Sequence, residues 1–259
     1  MIILYTIIII FTVFIIIRYS SPYIILNIWN FVINDEVKTQ NIKYSTNGIP
    51  SFHFPSEQEH SWAKNFYQDL KDNYVDIKSE ILDLNNNGYQ GPAMIDMDHI
   101  QGNYFGNEAA GWKPMWIKLL GSYSNITNRL PTLYNIAKKY PNLMILHCSV
   151  MEPNTILKMH YGISQGLWRL HFGIDIPDGN TGLNLCGNTI KWAEGEGFMW
   201  DDTLLHAAWN LTNNKRLIIF ADIPREFKST WKTKLNIYIH HLIEYCKHTQ
   251  TLQHKIKGL

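Results

Sequence analysis

The chain has 259 residues, a formal net charge of +1 and a hydrophobic fraction of 46%, with 13% aromatic residues. A chain of this length can bury one sizeable core, and its balanced charge gives no field that would attract nucleic acid, so no nucleic-acid partner is expected. The three cysteines, Cys148, Cys186 and Cys246, are odd in number and lack CxxC spacing. They give no sign of a disulfide framework or a structural zinc site.

The first predicted element is an apolar N-terminal helix. Residues 2–17 carry no charged side chain, Arg18 closes the run, and Pro22 follows. A membrane span needs about 17–25 apolar residues, so this run has the length of a short span. A cleavable signal peptide is the alternative, but no cationic region precedes the run and no small-residue cleavage site follows it. We therefore expect residues 1–18 to be a transmembrane signal anchor in a single-pass membrane protein.

Residues 19–50 are expected to be a juxtamembrane connector. Their apolar stretch, residues 23–33, is predicted to lie against either the bilayer or the following domain. Two signals disagree about the side of the membrane. The cation Arg18 weakly favours a cytosolic domain, whereas the Asn-x-Thr sequons at Asn125 and Asn210 fit a lumenal one.

Residues 51–227 are predicted to form the main domain, which is helical at first and β-rich later. Within residues 51–90, Trp62, Phe66 and Leu70 recur at helical spacing. From residue 143 onward, short β-like runs alternate with turn residues, and many closely spaced strands predict a sandwich or jelly roll. The predicted strands cover residues 143–150, 156–161, 167–176, 182–185, 189–192, 197–200 and 217–223.

The C-terminal tail, residues 228–259, returns to helical spacing. Zinc or nickel binding by its histidines is an alternative function for this segment. The histidines fall on different faces of a helix, which favours a solvated helix instead. They are His240, His241, His248 and His254.

The candidate site consists of two histidines, each followed by an arginine. His160 precedes Arg169, and His206 precedes Arg216. Alternation along residues 167–174 places Arg169 and His171 on one face of a strand and apolar side chains on the other, which predicts a polar cavity. Taken singly, these residues also fit exposed positions. Two imidazoles suit Fe(II) and two guanidiniums suit a small dicarboxylate, so together the residues predict a metal-dependent oxygenase.

The joint spacing resembles the aspartyl/asparaginyl β-hydroxylase family of Fe(II)- and 2-oxoglutarate-dependent oxygenases. The likeness spans about residues 105–226, including the run Trp-Ala-Glu-Gly-Glu-Gly at 192–197 and the two aspartates that precede His206. The matching positions are Ser149 eleven residues before His160, Arg169 nine and His171 eleven residues after it, and Arg216 ten residues after His206.

This resemblance implies a mainly β fold, a double-stranded β-helix or jelly roll with flanking helices. It implies that His160 and His206 bind Fe(II) and that these two and Arg169 are catalytic. It also implies O₂ as a cosubstrate and ascorbate as an optional reductant. The residues that it places around 2-oxoglutarate are Trp112, Ser149, Arg169, Leu170, His171 and Arg216, with Arg216 bound to the distal carboxylate.

Position 162 carries the most specific part of the resemblance. Non-haem Fe(II) oxygenases usually supply two histidines and one carboxylate, but Gly162 stands two residues after His160, where the carboxylate is expected. The hydroxylases that this chain resembles also have glycine there, and their remaining coordination position is expected to hold water. Asp201 or Asp202 is an alternative source of a carboxylate acting through that water.

The implied function is hydroxylation of an unactivated carbon, foremost the β-carbon of aspartate or asparagine in a peptide or protein, at a lumenal membrane face. One alternative is a membrane-associated lipid acyl-chain hydroxylase with the same chemistry. A second alternative is a non-catalytic jelly-roll binding protein, although the retained histidines, arginines and serine argue against it. The expected partners are the substrate and, through the N-terminal segment, the membrane.

Overall fold

Two antiparallel β-sheets form the centre of the structure, a computed structural model that describes residues 2–45, 52–54, 61–98 and 107–258. In the described residues, one sheet has seven strands in the order β1-β9-β6-β11-β4-β2-β3 and the other has four in the order β5-β10-β7-β8. The strands are β1 (Phe52–His53), β2 (Met115–Leu119), β3 (Ser122–Tyr123), β4 (Ile145–Met151), β5 (Thr155–His160), β6 (Leu167–Asp175), β7 (Thr181–Leu185), β8 (Asn188–Ile190), β9 (Gly197–Trp200), β10 (His206–Asn210) and β11 (Arg216–Pro224).

Most of the helices precede or follow the β-rich part of the chain in sequence. They confirm the helical predictions for residues 51–90, where these are described, and for the tail, which a 3-10 turn at Ile243–Tyr245 interrupts. The helices are α1 (Ile2–Tyr19), α2 (Pro22–Tyr44), α3 (Ser61–Asp72), α4 (Tyr74–Asn86), α5 (Met94–Met97), α6 (Pro131–Lys139), α7 (Thr230–Leu242) and α8 (Lys247–Lys257), with further 3-10 turns at Asn107–Gly111 and Asn125–Arg129.

The predicted strands are confirmed as β4 to β9 and β11, with ends that agree within about two residues. β10 was not among the predicted strands, because its sequence His-Ala-Ala-Trp-Asn contains no β-branched residue. This strand forms because it is hydrogen-bonded on both sides, to β5 and to β7. Tertiary pairing therefore overrides its weak intrinsic preference.

The predicted alternation along β6 is confirmed and locates the core. Trp168, Leu170 and Phe172 face a cluster formed with α3, α4 and α6, and they are fully buried. The residues between them face the space between the two sheets. The same alternation in β11 directs Ile218 and Phe220 into that space, beside Leu183 and Leu185 of the four-stranded sheet. The seven-stranded sheet thus has a helix-covered face and an inter-sheet face.

Helix α2 packs against the domain along one face. Trp29, Ile33 and Val37 are buried against Phe227 and α7, and the Trp29 indole donates to Asn236 Oδ1 at 2.8 Å. The stretch predicted to lie against the bilayer or the domain therefore contacts the domain. The predicted boundary between residues 50 and 51 lies outside the described residues.

A single transmembrane helix at residues 1–18 is not confirmed. Within the described part of the chain, no individual helix combines the length and hydropathy of a span. Phe11–Tyr19 and Pro22–Tyr44 meet those criteria only as a pair, with a bend of 103° between them.

One of the two sequons is inaccessible in the fold. Asn210 is fully buried, and its Nδ2 lies 3.0 Å from Met151 O, 3.2 Å from Glu152 O and 2.8 Å from Asn214 O. A glycan on this nitrogen would displace these carbonyls. Asn210 therefore gives no support for a lumenal domain in the folded protein.

Candidate active site

The two predicted metal ligands meet at one end of the four-stranded sheet. His160 ends β5, His206 begins β10, and the two residues are direct partners in the antiparallel pairing. Their ring centroids are 4.1 Å apart, and the Trp200 ring packs edge-on against His206 at 4.8 Å. Residues 46 positions apart in the chain are thus brought together by strand register.

Both imidazoles are oriented by their own backbone. His160 Nδ1 lies 2.6 Å from Lys158 O, and His206 Nδ1 lies 2.7 Å from Leu204 O. When Nδ1–H donates to these carbonyls, the lone pair is on Nε2, which is the arrangement found at many metal-bound histidines. Burial and the neighbouring His160 lower the pKa of His206 to about 3, and burial also lowers the pKa of His160. Both rings are therefore neutral at pH 7, as metal binding requires.

The carboxylate of Asp202 fills the space beside Gly162. A Cβ atom at position 162 would overlap this carboxylate, and the Gly162 backbone N–H donates to Asp202 O at 2.7 Å. Asp202 is buried. Burial and the nearby carboxylates of Asp222 and Asp201 raise its pKa, while Arg169 opposes that shift. Of the two candidate aspartates, Asp202 lies at the site, and Asp201 instead forms a buried ion pair.

Arg169 is occupied by two carboxylates. Its Nη1 lies 2.7 Å from Asp202 Oδ2, its Nε donates to Asp222 Oδ1 at 2.9 Å, and its guanidinium lies 4.2 Å from the Phe220 ring centroid. Burial alone would lower the pKa of Arg169, but the two carboxylates raise it above its ordinary value. Arg169 therefore holds Asp202 in place. Asp222 was not among the predicted site residues, although a single carboxylate in an otherwise apolar buried strand indicates a buried partner.

Arg216 differs from Arg169 because no carboxylate of the described residues lies within ion-pair distance. It is buried at the start of β11, its guanidinium lies over Trp192 at 4.6 Å, and its Nε has no hydrogen-bond partner. Burial lowers its pKa to about 9, so it is still protonated at pH 7. Burying an unpaired cation costs several kcal/mol (order of magnitude), which an anionic ligand would offset. The arrangement fits a carboxylate of a bound cosubstrate.

Three more of the predicted cofactor residues lie on the inter-sheet face near Arg216. Trp112 Nε1 donates to Ser149 Oγ at 2.9 Å, and Trp192 Nε1 donates to His171 Nδ1 at 3.2 Å. Trp192 belongs to the run at 192–197, but the sequence analysis gave it no role.

Leu170 does not join this group. Its side chain points to the opposite face of β6 from Arg169 and His171 and is fully buried in the helix-covered core. The cofactor role of Leu170 stays a prediction, and its side chain lies on the face of β6 away from Arg169 and His171. The reason is the period-two alternation of a strand, which sends neighbours to opposite faces.

His147 is a further residue of the inter-sheet face that the sequence analysis missed. It is buried and stacked on Phe220 with centroids 4.2 Å apart, and burial together with Arg169 lowers its pKa to about 3. The sequence pattern predicts this position, because His147 and Ser149 alternate with Leu146 and Cys148 along β4, and the latter two are core residues.

A cavity of about 820 Å³ borders the site. His160, Arg169 and Asp202 line it on the metal side, and Arg216 is not among its lining residues. Apolar side chains make up much of the remaining wall, among them Leu26, Met94, Met97, Leu119, Leu120 and Leu252. Polar side chains also line it, including Asp98, Ser164 and His248. The cavity therefore borders the two histidines' side of the site and not Arg216.

No group of three or more His, Cys, Asp or Glu residues in the described ranges is arranged to hold a metal ion, and the tail histidines form none.

Replacing Gly162 by aspartate is expected to lower the free energy of unfolding. The new side chain overlaps the Asp202 carboxylate, and overpacking of a buried site costs about 1–3 kcal/mol. Denaturant unfolding followed by circular dichroism measures the loss. The control is the double variant Gly162→Asp/Asp202→Gly, which moves the carboxylate and should recover part of the stability. Equal stability of wild type and Gly162→Asp would contradict the overlap.

A family model and several curated proteins are similar to this chain. The model of the aspartyl/asparaginyl beta-hydroxylase family matches residues 71–226. An ornithine lipid ester-linked acyl 2-hydroxylase of Rhizobium tropici is 32% identical over 122 residues, which cover 46% of this chain and 43% of that protein. The aspartyl/asparaginyl beta-hydroxylase of Homo sapiens is 31% identical over 75 residues, 29% of this chain and 10% of that protein. The chain thus spans less than half the length of these relatives.

Solved structures that are similar to this chain include two prolyl hydroxylases. One, from Trichoplax adhaerens in complex with a hypoxia inducible factor peptide fragment, is 11% identical with a TM-score of 0.42 and covers 80% of this chain and 96% of that chain. The other, a Pseudomonas putida prolyl-4-hydroxylase, is 13% identical with a TM-score of 0.40 and covers 62% of this chain and 98% of that chain. The family match by itself extends over more than half of the 259 residues. The chain belongs to the aspartyl/asparaginyl β-hydroxylase family.

Proposed function

We propose that this hydroxylase is an Fe(II)- and 2-oxoglutarate-dependent dioxygenase that acts on an unactivated carbon. The observation that carries the proposal is the pairing of two neutral imidazoles, both fixed through Nδ1, with a buried arginine that has no counter-ion among the described residues. A non-catalytic binding protein has no need for this combination. The two sheets also have the antiparallel make-up that a double-stranded β-helix requires.

His160 and His206 would hold the iron through their Nε2 atoms. The Asp202 carboxylate, beside Gly162 and held by Arg169, would accept a hydrogen bond from water at the position that a third protein ligand usually takes. Arg169 is then a positioning residue. Fe(II), 2-oxoglutarate and O₂ together supply the oxidation of the C–H bond, while the protein orients the reactants and shields them from water.

The distal carboxylate of 2-oxoglutarate would bind Arg216. A guanidinium presents a planar fork that matches a carboxylate, and the Trp192 ring keeps this fork in place. Ser149, with its hydroxyl held by Trp112, and His171, held by Trp192, complete the wall on the same face. Each of these side chains enters from a different strand or loop.

Replacing Arg216 by methionine is expected to raise the KM for 2-oxoglutarate at least about 30-fold, since losing one partner of a buried charge pair costs roughly 2 kcal/mol or more. Succinate formation at increasing 2-oxoglutarate, with Fe(II) and ascorbate, measures the change. Arg129→Met, which alters an exposed arginine, is the control and should leave KM unchanged. An unchanged KM in Arg216→Met would contradict the assignment.

The whole proposal is tested by substrate-stimulated succinate formation in the purified, iron-loaded protein. Failure to form succinate with any peptide or lipid substrate, while iron and 2-oxoglutarate still bind, would favour a non-catalytic binding protein.

Two substrate classes fit this chemistry. The family's name supports an aspartate or asparagine side chain in a peptide. The apolar side chains that make up much of the cavity wall and the likeness to the ornithine lipid hydroxylase support a lipid acyl chain instead, delivered at a membrane. Mass spectrometry that detects an added oxygen on a peptide or on a lipid acyl chain distinguishes the two.

A further inference from the structure

The outer face of α2 is apolar where it is exposed. Ile24, Ile28 and Phe31 are 57%, 64% and 86% exposed. Their spacing of four and three residues places them on one stripe, opposite the stripe of Trp29 and Ile33 that is buried on the domain. Three exposed large side chains in successive turns are costly in water and indicate a contact surface.

Toward the C-terminus of α2 the apolar stripe is followed by charged residues. In the other direction, beyond the bend, α1 exposes more apolar side chains. The same stripe of α2 carries Asp35 and Lys38 in the following turns, so the apolar part covers only the first three turns. On the other side of the bend, the described part of α1 exposes further large apolar side chains. These are Phe11, Val13, Phe14, Ile15 and Ile16. Large apolar side chains are thus exposed on both sides of the α1–α2 corner.

The bend decides how this surface can meet a bilayer. The axes of the two helices differ in direction by 103°. When α1 lies along the membrane normal, α2 therefore lies close to the membrane plane, the orientation of an interfacial helix.

Cations border the same corner. Arg18, in the last turn of α1, donates to Gln250 Oε1 of α8 at 2.7 Å. Cys246, which contacts Ile17 O at 3.3 Å, is followed directly by Lys247. Basic side chains beside the α1–α2 corner would complement the charge of anionic lipid headgroups.

Helix α2 is also hydrogen-bonded to the loop between β5 and β6, which follows His160. The Asn30 side chain donates to Ile163 O at 2.7 Å and accepts from the Gln165 N–H at 2.9 Å, and both partners lie just after His160. The inner side of the same helix, with Tyr23 and Leu26, lines the cavity.

We propose that the stripe of Ile24, Ile28 and Phe31 rests on a lipid bilayer, so that α2 is an interfacial helix that holds the cavity about one helix diameter, or roughly 10 Å, from the acyl chains. The occupant is lipid rather than a second copy of the chain, because the apolar α1 also exposes large side chains beside the same corner and cations border that corner. The membrane contact of this protein therefore extends beyond the N-terminal helix onto the catalytic domain.

The test places a single environment-sensitive fluorophore on the full chain. Phe31→Cys is labelled in a Cys186→Ser background, since Cys148 and Cys246 are buried and Cys186 is exposed. The matched control is Val75→Cys, which is 76% exposed. It lies on α4, a helix that packs in the helix-covered core and not in the cluster that buries α2. Both proteins are reconstituted into vesicles of phosphatidylcholine and phosphatidylglycerol, and folding is checked by circular dichroism.

The label at position 31 is expected to shift to shorter emission wavelength, to be quenched by nitroxide-bearing lipids and to resist aqueous iodide. The label at position 75 should stay accessible to iodide. Iodide quenching at position 31 equal to that at position 75 would overturn the proposal. Protection that disappears on dilution with excess lipid would also overturn it, by assigning the stripe to contact between copies. Neither readout needs iron, 2-oxoglutarate or turnover, so the outcome is independent of the proposed activity.

Discussion

Replacing His206 by alanine is expected to abolish both iron binding and turnover. Loss of an outer-shell partner at a metal site typically lowers affinity about 10–100-fold, so loss of one of only two direct ligands should cost more than about 100-fold. The same result is expected for His160→Ala, because the two rings face each other across one strand pair. Iron content after anaerobic loading, together with succinate formation, measures the effect.

The control for these variants is His254→Ala, which removes an exposed histidine of α8. It should bind iron and form succinate as the wild type does. Because His206 is buried beside Trp200, circular dichroism and the unfolding midpoint establish that its alanine variant is folded. A folded His206→Ala protein with full iron content and full turnover would refute the assignment of the metal site.

Breaking the buried ion pair between Arg225 and Asp201 is expected to lower the free energy of unfolding more than any other substitution considered. Arg225 and Asp201 are both fully buried, their charged atoms are 2.7 Å apart, and Arg225 lies over Trp168 at 3.8 Å. Burial alone would raise the pKa of Asp201, but Arg225 and the hydrogen bonds from Thr203 hold it below its ordinary value. Arg225→Met leaves an uncompensated buried carboxylate, which costs about 3–5 kcal/mol.

Differential scanning calorimetry tests this expectation, because about 1 kcal/mol corresponds to roughly 2–4 °C in the unfolding midpoint for a protein of this size. Lys139→Met is the control. It breaks an exposed pair with Asp69, at 3.2 Å, and surface pairs are worth about 0–1 kcal/mol. Equal midpoints for the two variants would show that the Asp201–Arg225 pair is not required for stability.

The pair also matters for the site, since Asp201 precedes Asp202 and begins the turn that leads to His206. In a variant that still folds, a shift of this turn would move the second ligand and the carboxylate at Gly162 together. We therefore expect Arg225→Met to lower iron affinity as well as stability.

Much of the fold follows from local patterns. Polar and apolar residues alternate along β6, and the structure has the side chains of Trp168 and Arg169 on opposite faces as that pattern requires. Turn residues between short runs locate the ends of β4 to β9. By contrast, β10 has a weak local signal and exists because β5 and β7 pair with it on both sides.

The residue spacing around His160 and His206 determined the family and the set of side chains to examine. Only the tertiary structure separated the two arginines, because their counter-ions come from distant strands. Asp222 and Asp202 neutralise Arg169, whereas Arg216 has no such partner among the described residues. Linear spacing cannot encode this difference, since strand register decides which charges meet.

The N-terminal part of the chain shows the same division between what hydropathy predicts and what the structure decides. Hydropathy alone identifies an apolar N-terminal segment, but it cannot tell a connector from a packed helix. The structure decides that α2 buries Trp29 and Ile33 on the domain and leaves Ile28 and Phe31 outside. The physical reason is that a helix has two faces, and only the position of its neighbours determines which one is covered.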